Sequence, residues 1–313
     1  MRAGQAVAGR VDAPERGMLL MAGAMLLVPG MDALAKLLAA QLSPVQITFV
    51  RFAVQSGFLA VLLSVTAQLA VPRAALPRLA LGGTLVAAAV SLLFWSLAFL
   101  PLANAIAIFF VEPLILTVFS ALFLGERVGW HRIGAVLVGL VGALIVIRPN
   151  WAAFGWVAVL PLLAAVCYAG QLTVIRSISA HLGAVQVQGY TGLFAALFLG
   201  VVLLAGAVIG AGEGPTAWVA PDAPAWRMLF AVGLMSAVAH MMITFAFKST
   251  PASILAPFQY LEIISATTLG FLVFGDFPDA LTWSGTAIIL GAGFYVFHRE
   301  RRLSRAARPP RVR

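Results

Sequence analysis

Apolar residues in this chain fall into long runs, and the polar positions gather at short breaks between them. Each run is about twenty residues, the length at which an α-helix crosses the hydrocarbon core of a bilayer. The pattern predicts an all-α membrane protein of about ten helices, over 17–40, 44–69, 77–99, 102–124, 129–147, 153–175, 184–210, 226–247, 252–274 and 278–298. The breaks lie where chain chemistry favours them. Pro44, Pro101, Pro251 and Pro278 stand at helix starts, where a missing N–H costs little. Pro149-Asn150 and the stretch from Gly210 to Pro224 read as loops. The short alternating segments of a membrane β-barrel are absent.

Composition sharpens this picture. Residues are 62% hydrophobic and 10% charged, with mean hydropathy +1.02. A water-soluble fold of this length needs far more charge to cover its outside. Cys167 is the lone cysteine, which excludes an intrachain disulfide framework. The first apolar run carries Asp32 and Lys36, so it is read as a retained helix and not a cleaved signal.

Charge orients the bundle. With the N-terminus in the cytoplasm, the inner segments hold Arg2, Arg10, Arg16, Arg73, Arg78, Arg127, Arg132, Arg176, Lys248 and the seven arginines from Arg299 onward. The outer loops hold only Arg148 and Arg227. Such a bias places both termini in the cytoplasm of a multi-pass inner-membrane protein. The arginine-rich tail of 299–313 directly follows a membrane segment. It is therefore read as an anchor against anionic lipid, with no nucleic-acid partner expected.

The two halves of the chain resemble each other. At a shift of 150 residues Pro101 falls on Pro251, Glu112 on Glu262, Gly125 on Gly275 and Glu126 on Asp276. At a shift near 140, Gly30 falls on Gly170, Lys36 on Arg176 and Gln46 on Gln186. An odd number of helices per unit makes the second copy enter from the opposite side, as an inverted repeat. The expected organisation is a tail of 1–16, a first repeat of 17–150, an inverted second repeat of 151–298 and a basic tail of 299–313. Inverted repeats allow a central site to open to either side in turn, with the substrate near the midplane.

Each repeat ends alike, in F-L-G-E-R-V-G-W-H-R-I-G-A-V-L-V-G-L-V-G-A-L-I-V and V-F-G-D-F-P-D-A-L-T-W-S-G-T-A-I-I-L-G-A-G-F-Y-V. In these ends and in the ten-helix plan the chain resembles the drug/metabolite transporter superfamily, in its branch with two EamA-type repeats. The resemblance covers roughly 17–298. It implies export or import of metabolites such as amino acids, sugars, nucleotide-like compounds, vitamins or drugs, and it carries no catalytic motif.

Ionisable groups at bilayer depth cost several kcal/mol unless paired or wetted, about 2.5–3.5 on insertion scales. Five are kept here: Asp32, Lys36, Arg51, Glu112 and Glu262. Glu112 and Glu262 are repeat-equivalent, so facing helices are expected to bring them near the pseudo-two-fold axis. They can bind a cation or carry a proton. Equally, they can tie down backbone freed by Pro113 and Pro257, which lack the N–H for the carbonyls of Phe109 and Ser253. Asp32 and Lys36, four apart, share a helix face and can pair with each other. Arg51 can snorkel or hold an anion. Gln259 and Tyr260 stand close to Glu262. His240 is a proton-relay candidate or a satisfied bundle histidine. Trp95 (one turn from Ser91) and Tyr168 with Gln171 offer polar-aromatic faces. Glycines at 134, 139 and 142, and at 285, 291 and 293, suggest close packing, within the bundle or in a homodimer.

No phosphate-binding G-x-x-x-x-G-K-[ST] loop and no H-E-x-x-H are present. An ATP-driven pump, an intramembrane enzyme and a non-transporting sensor are accordingly secondary readings, and no cofactor or metal is expected. The leading expectation is a secondary transporter of a small zwitterionic or amphipathic metabolite, such as an amino acid or derivative, with proton coupling as one driving force. The alternative is uptake of a ring-bearing metabolite such as riboflavin or S-adenosylmethionine.

Overall fold

The computed structural model describes residues 14–66, 69–125, 130–178, 182–209, 214–250, 255, 258–259 and 261–306. Among them every regular element is helical: α1 (Pro14–Leu38), α2 (Pro44–Val65), α3 (Leu76–Leu97), α4 (Leu102–Phe109), α5 (Glu112–Leu124), α6 (Trp130–Phe154), α7 (Leu160–Arg176), α8 (Ala184–Val208), α9 (Ala223–Ser249), α10 (Leu261–Phe274) and α11 (Ala280–Ala306), with 3-10 turns before α3 and α7. Seven helical stretches are long and apolar enough to cross a membrane. Ile133–Val146, Leu261–Phe274 and Ala280–Tyr295 are shorter apolar helices.

Local chemistry explains most boundaries. Ser43 caps α2 by accepting from the Gln46 N–H at 3.2 Å, and Asp222 caps α9 by accepting from the Ala225 N–H at 2.7 Å. Gly125 and Gly275, equivalent in the two halves, follow the ends of α5 and α10 with φ of 69° and 72°. That left-handed conformation is open to glycine without a Cβ penalty and satisfies carbonyls at a helix end.

Three expectations are corrected. The segment 102–124 is two helices, broken at Phe110–Val111, because Pro113 cannot donate to the Phe109 carbonyl. Pro149-Asn150 is no loop: α6 runs through it to Phe154, losing one donor, and ends before Gly155 at φ 61°. The last helix continues past 298 to Ala306, since good helix formers follow and no breaker precedes Pro309.

Helix pairing respects the internal repeat. α1 packs on α9 and α3 on α7; α3 packs on α8 and α2 on α9; α5 packs on α7 and α1 on α10. Each pair maps onto its companion when the halves are exchanged. The self-paired contacts, α2 with α8, α6 with α11 and α4 with α10, lie where a pseudo-two-fold requires them.

Two glutamines show the same exchange. Gln46, at the start of α2, donates from Nε2 to the Val219 carbonyl at 2.7 Å and accepts from the Val219 N–H at 2.9 Å, in the segment after α8. Its equivalent Gln186, at the start of α8, donates to the Ala70 carbonyl at 2.9 Å, in the segment after α2. The beginning of each helix therefore meets the end of the other, and α2 and α8 run antiparallel.

Helices α6 and α11 meet through glycines. A Cβ on Gly142 would stand 2.8 Å from the Gly285 carbonyl oxygen, and one on Gly285 would stand 2.6 Å from the Gly142 carbonyl oxygen. A Cβ on Gly139 would collide with Leu114. These glycines serve contact within the chain, whereas Gly134 and Gly291 face open space. A Gly142→Val substitution is expected to cost about 1–3 kcal/mol, as overpacked cores do. A lower Tm of the detergent-solubilised protein would register it; an unchanged Tm would mean the helix pair separates freely.

Candidate functional site

The broken helix creates the site. Glu112 begins α5 directly after the Phe110–Val111 interruption, and Glu262 stands at the equivalent place near the start of α10. Both carboxylates line one central cavity of about 570 Å³, together with Asp32 from α1 and Arg51 from α2. Tyr168 of α7, His240 of α9 and Gln259 line it as well, as does Arg176 at the end of α7. Between these polar groups the wall is apolar and aromatic, notably Phe94, Phe109, Phe110 and Met31. Phe109 and Tyr168 meet edge to face, 5.5 Å between centroids. Such a mix of apolar wall and few convergent polar groups is the usual make-up of a small-molecule pocket.

The cavity is lopsided along the helices. It follows α1 from Asp32 back to Met25, α5 from Glu112 to Leu116, α7 from Tyr168 to Arg176 and α9 from His240 to Phe247. It stops short of Lys36.

Lys36 is elsewhere, which corrects the expected Asp32–Lys36 pair. Its Nζ lies 2.7 Å from Asp276 Oδ2 and 4.4 Å from the centre of the Phe274 ring. One helical turn separates the two residues: Asp32, 2% exposed, turns into the cavity, and the longer Lys36 reaches across to the segment after α10. Asp32 is left with no ion-pair partner among the described residues.

Arg51 does not snorkel. It is 4% exposed, its Nε donates to Ser236 Oγ at 3.0 Å, and its guanidinium lies 4.8 Å from the Phe52 ring centre. Ser236 Oγ in turn donates to Gln55 Oε1 at 2.6 Å. His240 Nδ1 lies 2.8 Å from the Ser236 carbonyl oxygen, one turn back on its own helix. A ring donating there presents Nε2 as an acceptor. Glu112 Oε1 is buried with no hydrogen-bond partner, so that oxygen is not spent on tying down the helix break.

Trp95 lies outside the cavity lining and packs edge to face on Trp156, with centroids 5.3 Å apart. Gln171 lines a separate small recess behind Arg51. Tyr260 falls outside the described residues. Residue-by-residue reasoning missed Arg176, Gln55, Ser236 and the phenylalanines. Two of these carried a signal, for Gln55 is one turn from Arg51 and Ser236 one turn from His240. Arg176 was already the repeat partner of Lys36.

Comparison with known proteins agrees with this architecture. The model of the EamA-like transporter family matches residues 15–148 and again 155–297. The pseudopaline exporter CntI of Pseudomonas aeruginosa is 32% identical over 287 residues, covering 90% of this chain and 96% of that protein. A riboflavin transporter of Rhizobium johnstonii is 30% identical over 209 residues, covering 67% of this chain and 66% of that protein. A solved crystal structure, 21% identical, superposes with a TM-score of 0.60 over 92% of this chain and 99% of that chain, which shows a shared fold.

Proposed function

Since this chain belongs to the EamA-like transporter family, we propose that it is a secondary transporter of a small organic metabolite bearing both amine and carboxylate groups. The observation that carries this reading is the cavity itself: three carboxylates, Asp32, Glu112 and Glu262, and the Arg51 guanidinium converge on one aromatic-walled space. The acids suit an amine, and Arg51 suits a carboxylate. The apolar wall accommodates the carbon skeleton. Charge of both signs at bilayer depth is expensive unless a ligand or coupling ion uses it.

Ten inner-membrane spans in two inverted five-helix units, with both termini cytoplasmic, are part of the same proposal. The arginine bias and the antiparallel packing of α2 on α8 support it. In that orientation the cavity extends toward the cytoplasm, and the Lys36–Asp276 pair closes the outer end. Loading from inside, followed by opening of that pair, amounts to export. A relative aligned over 90% of the chain, named as an exporter, supports this direction.

The test is counterflow in proteoliposomes holding the full chain, with amino acids and N-substituted amino acids as the panel. Saturable exchange of a compound with both groups is the expected result. Exchange of riboflavin alone would overturn it in favour of a second reading, in which a ring stacks against Phe109, Phe110 and Tyr168.

A further inference from the structure

Behind the main cavity, between α2, α3, α7, α8 and α9, lies a recess of about 30 Å³ lined by Arg51, Gln171, Gln188, Thr191, Gly192 and His240. Arg51, Val90, Tyr168 and His240 line both spaces, so the two adjoin at these side chains. Buried polar groups in folded proteins nearly always have partners. Here several do not. Arg51 Nη1, Gln55 Nε2, Ser56 Oγ and Gln171 Oε1 are all buried with no hydrogen-bond partner. Gln55 and Ser56 stand behind the recess lining, next to Gly192: a Cβ added there would stand 2.8 Å from Ser56 Oγ and 3.9 Å from Gln55 Nε2.

The chemistry of the vacant bonds selects the ligand. Arg51 Nη1 and Gln55 Nε2 can only donate, Ser56 can do either, and a Gln171 amide turned over also donates. Arg51 carries the recess's one fixed formal charge; the other lining groups are glutamine, threonine, tyrosine, histidine and apolar side chains. A compact anionic acceptor matches this set. The recess is small, about 30 Å³ against about 570 Å³ for the main cavity, which suits a compact group such as a carboxylate.

We infer that the recess is a carboxylate subsite: the transported molecule inserts its carboxylate beside Arg51 and keeps its skeleton in the main cavity. This rests on reading that cavity as the transport site. Ser236 is a positioning residue here. Its hydroxyl takes the Arg51 Nε–H while Nη1 stays without a partner, and its own proton engages Gln55 Oε1, leaving Gln55 Nε2 free to donate. Gly192 keeps the floor open.

Two probes separate the parts. 3-Phenylpropionate has a ring and a carboxylate but no amine, and phenethylamine has a ring and an amine but no carboxylate. Their affinities for the purified full-length protein are measured by calorimetry on the wild type, Arg51→Gln and Gly192→Ala. Wild type is expected to bind 3-phenylpropionate saturably. Both variants should weaken it at least tenfold, as loss of a charged hydrogen bond or of its space does. Phenethylamine affinity should move less than threefold. Gly192→Ala keeps every charge and crowds the recess wall at Ser56 Oγ, so it decides the matter should Arg51→Gln fail to fold. Absent binding of 3-phenylpropionate to wild type, or unchanged affinity in Gly192→Ala, overturns the inference and leaves a recess for water only. Failure of the transport reading looks different: carboxylate binding lost in Gly192→Ala, with no flux of any amine-bearing solute, keeps the subsite and removes the carrier.

Discussion

Glu112→Gln is expected to cut transport roughly 10- to 100-fold while leaving the protein at least as stable as the wild type. The substitution keeps shape and removes charge. Hydrogen bonds to a charged group are worth about 1.5–3 kcal/mol, which corresponds to that range of affinity. Stability should hold because Glu112 Oε1 is buried with no partner, and a neutral amide is cheaper to bury than an unpaired carboxylate. A carboxylate that merely tied down the break at Phe110–Val111 would behave oppositely, lowering Tm and sparing flux in whatever folds. Glu262→Gln should act in the same direction, and the double variant should fall little below either single one, because both groups serve one ligand. Counterflow and thermal denaturation on the same preparations check this. Full flux in both single variants would end the assignment of these acids to substrate or coupling ion.

Reversing one charge of the Lys36–Asp276 pair should uncouple transport by a different route. In Lys36→Glu, two carboxylates face each other where Nζ now sits 2.7 Å from Asp276. The pair is partly exposed, at 15% and 34% of the side-chain surface, so its own energy is discounted by solvent to about 1 kcal/mol or less. The large effect lies in access. Asp32 and Met31 line the cavity one to two turns from Lys36, and separating α1 from the segment after α10 would expose them from that end of the bundle. A cysteine placed at Met31, in a Cys167→Ser background, should react with an impermeant thiol reagent several-fold faster in Lys36→Glu. Adding Asp276→Lys should restore both slow labelling and flux. Labelling that is equally fast in the parent and the charge-swapped chain would show that this pair closes nothing.

The repeat makes these effects interpretable together. Gly125 and Gly275 end equivalent helices in the same left-handed conformation, and Gln46 and Gln186 clamp equivalent segments of the opposite half. Each half thus holds the other by matched contacts. A change at one end of the bundle has a counterpart at the other, which is the mechanical requirement for exchanging access between two sides.

Much of this was legible in one dimension. Helices satisfy their backbone groups within the segment, and a bilayer forces every spanning segment to do so. Apolar run length and proline position therefore marked the segments from local chemistry alone. The halves could be overlaid, and the ionisable residues at bilayer depth stood out because hydrocarbon makes them costly. Asp32, Arg51, Glu112 and Glu262, singled out that way, line the central cavity, and so do Tyr168, His240 and Gln259, picked as polar or aromatic helix residues; Lys36, singled out for the same cost, does not.

What stayed hidden was rotation and reach. A helix that is apolar all round has no stripe to say which side faces its neighbours, so Trp95 looked as suitable as Tyr168 although it points to Trp156. Helix spacing allowed Lys36 to meet Asp32; only the fold, bringing residues 240 positions apart together, gave it Asp276. The recess depends on five helices meeting around Arg51, with Gly192 leaving space that no periodicity encodes. Local chemistry set where the chain enters and leaves each helix and which groups are too polar for hydrocarbon. Tertiary packing decided which of those groups face one another, because that depends on the angle of each helix about its own axis and on partners far away in the chain.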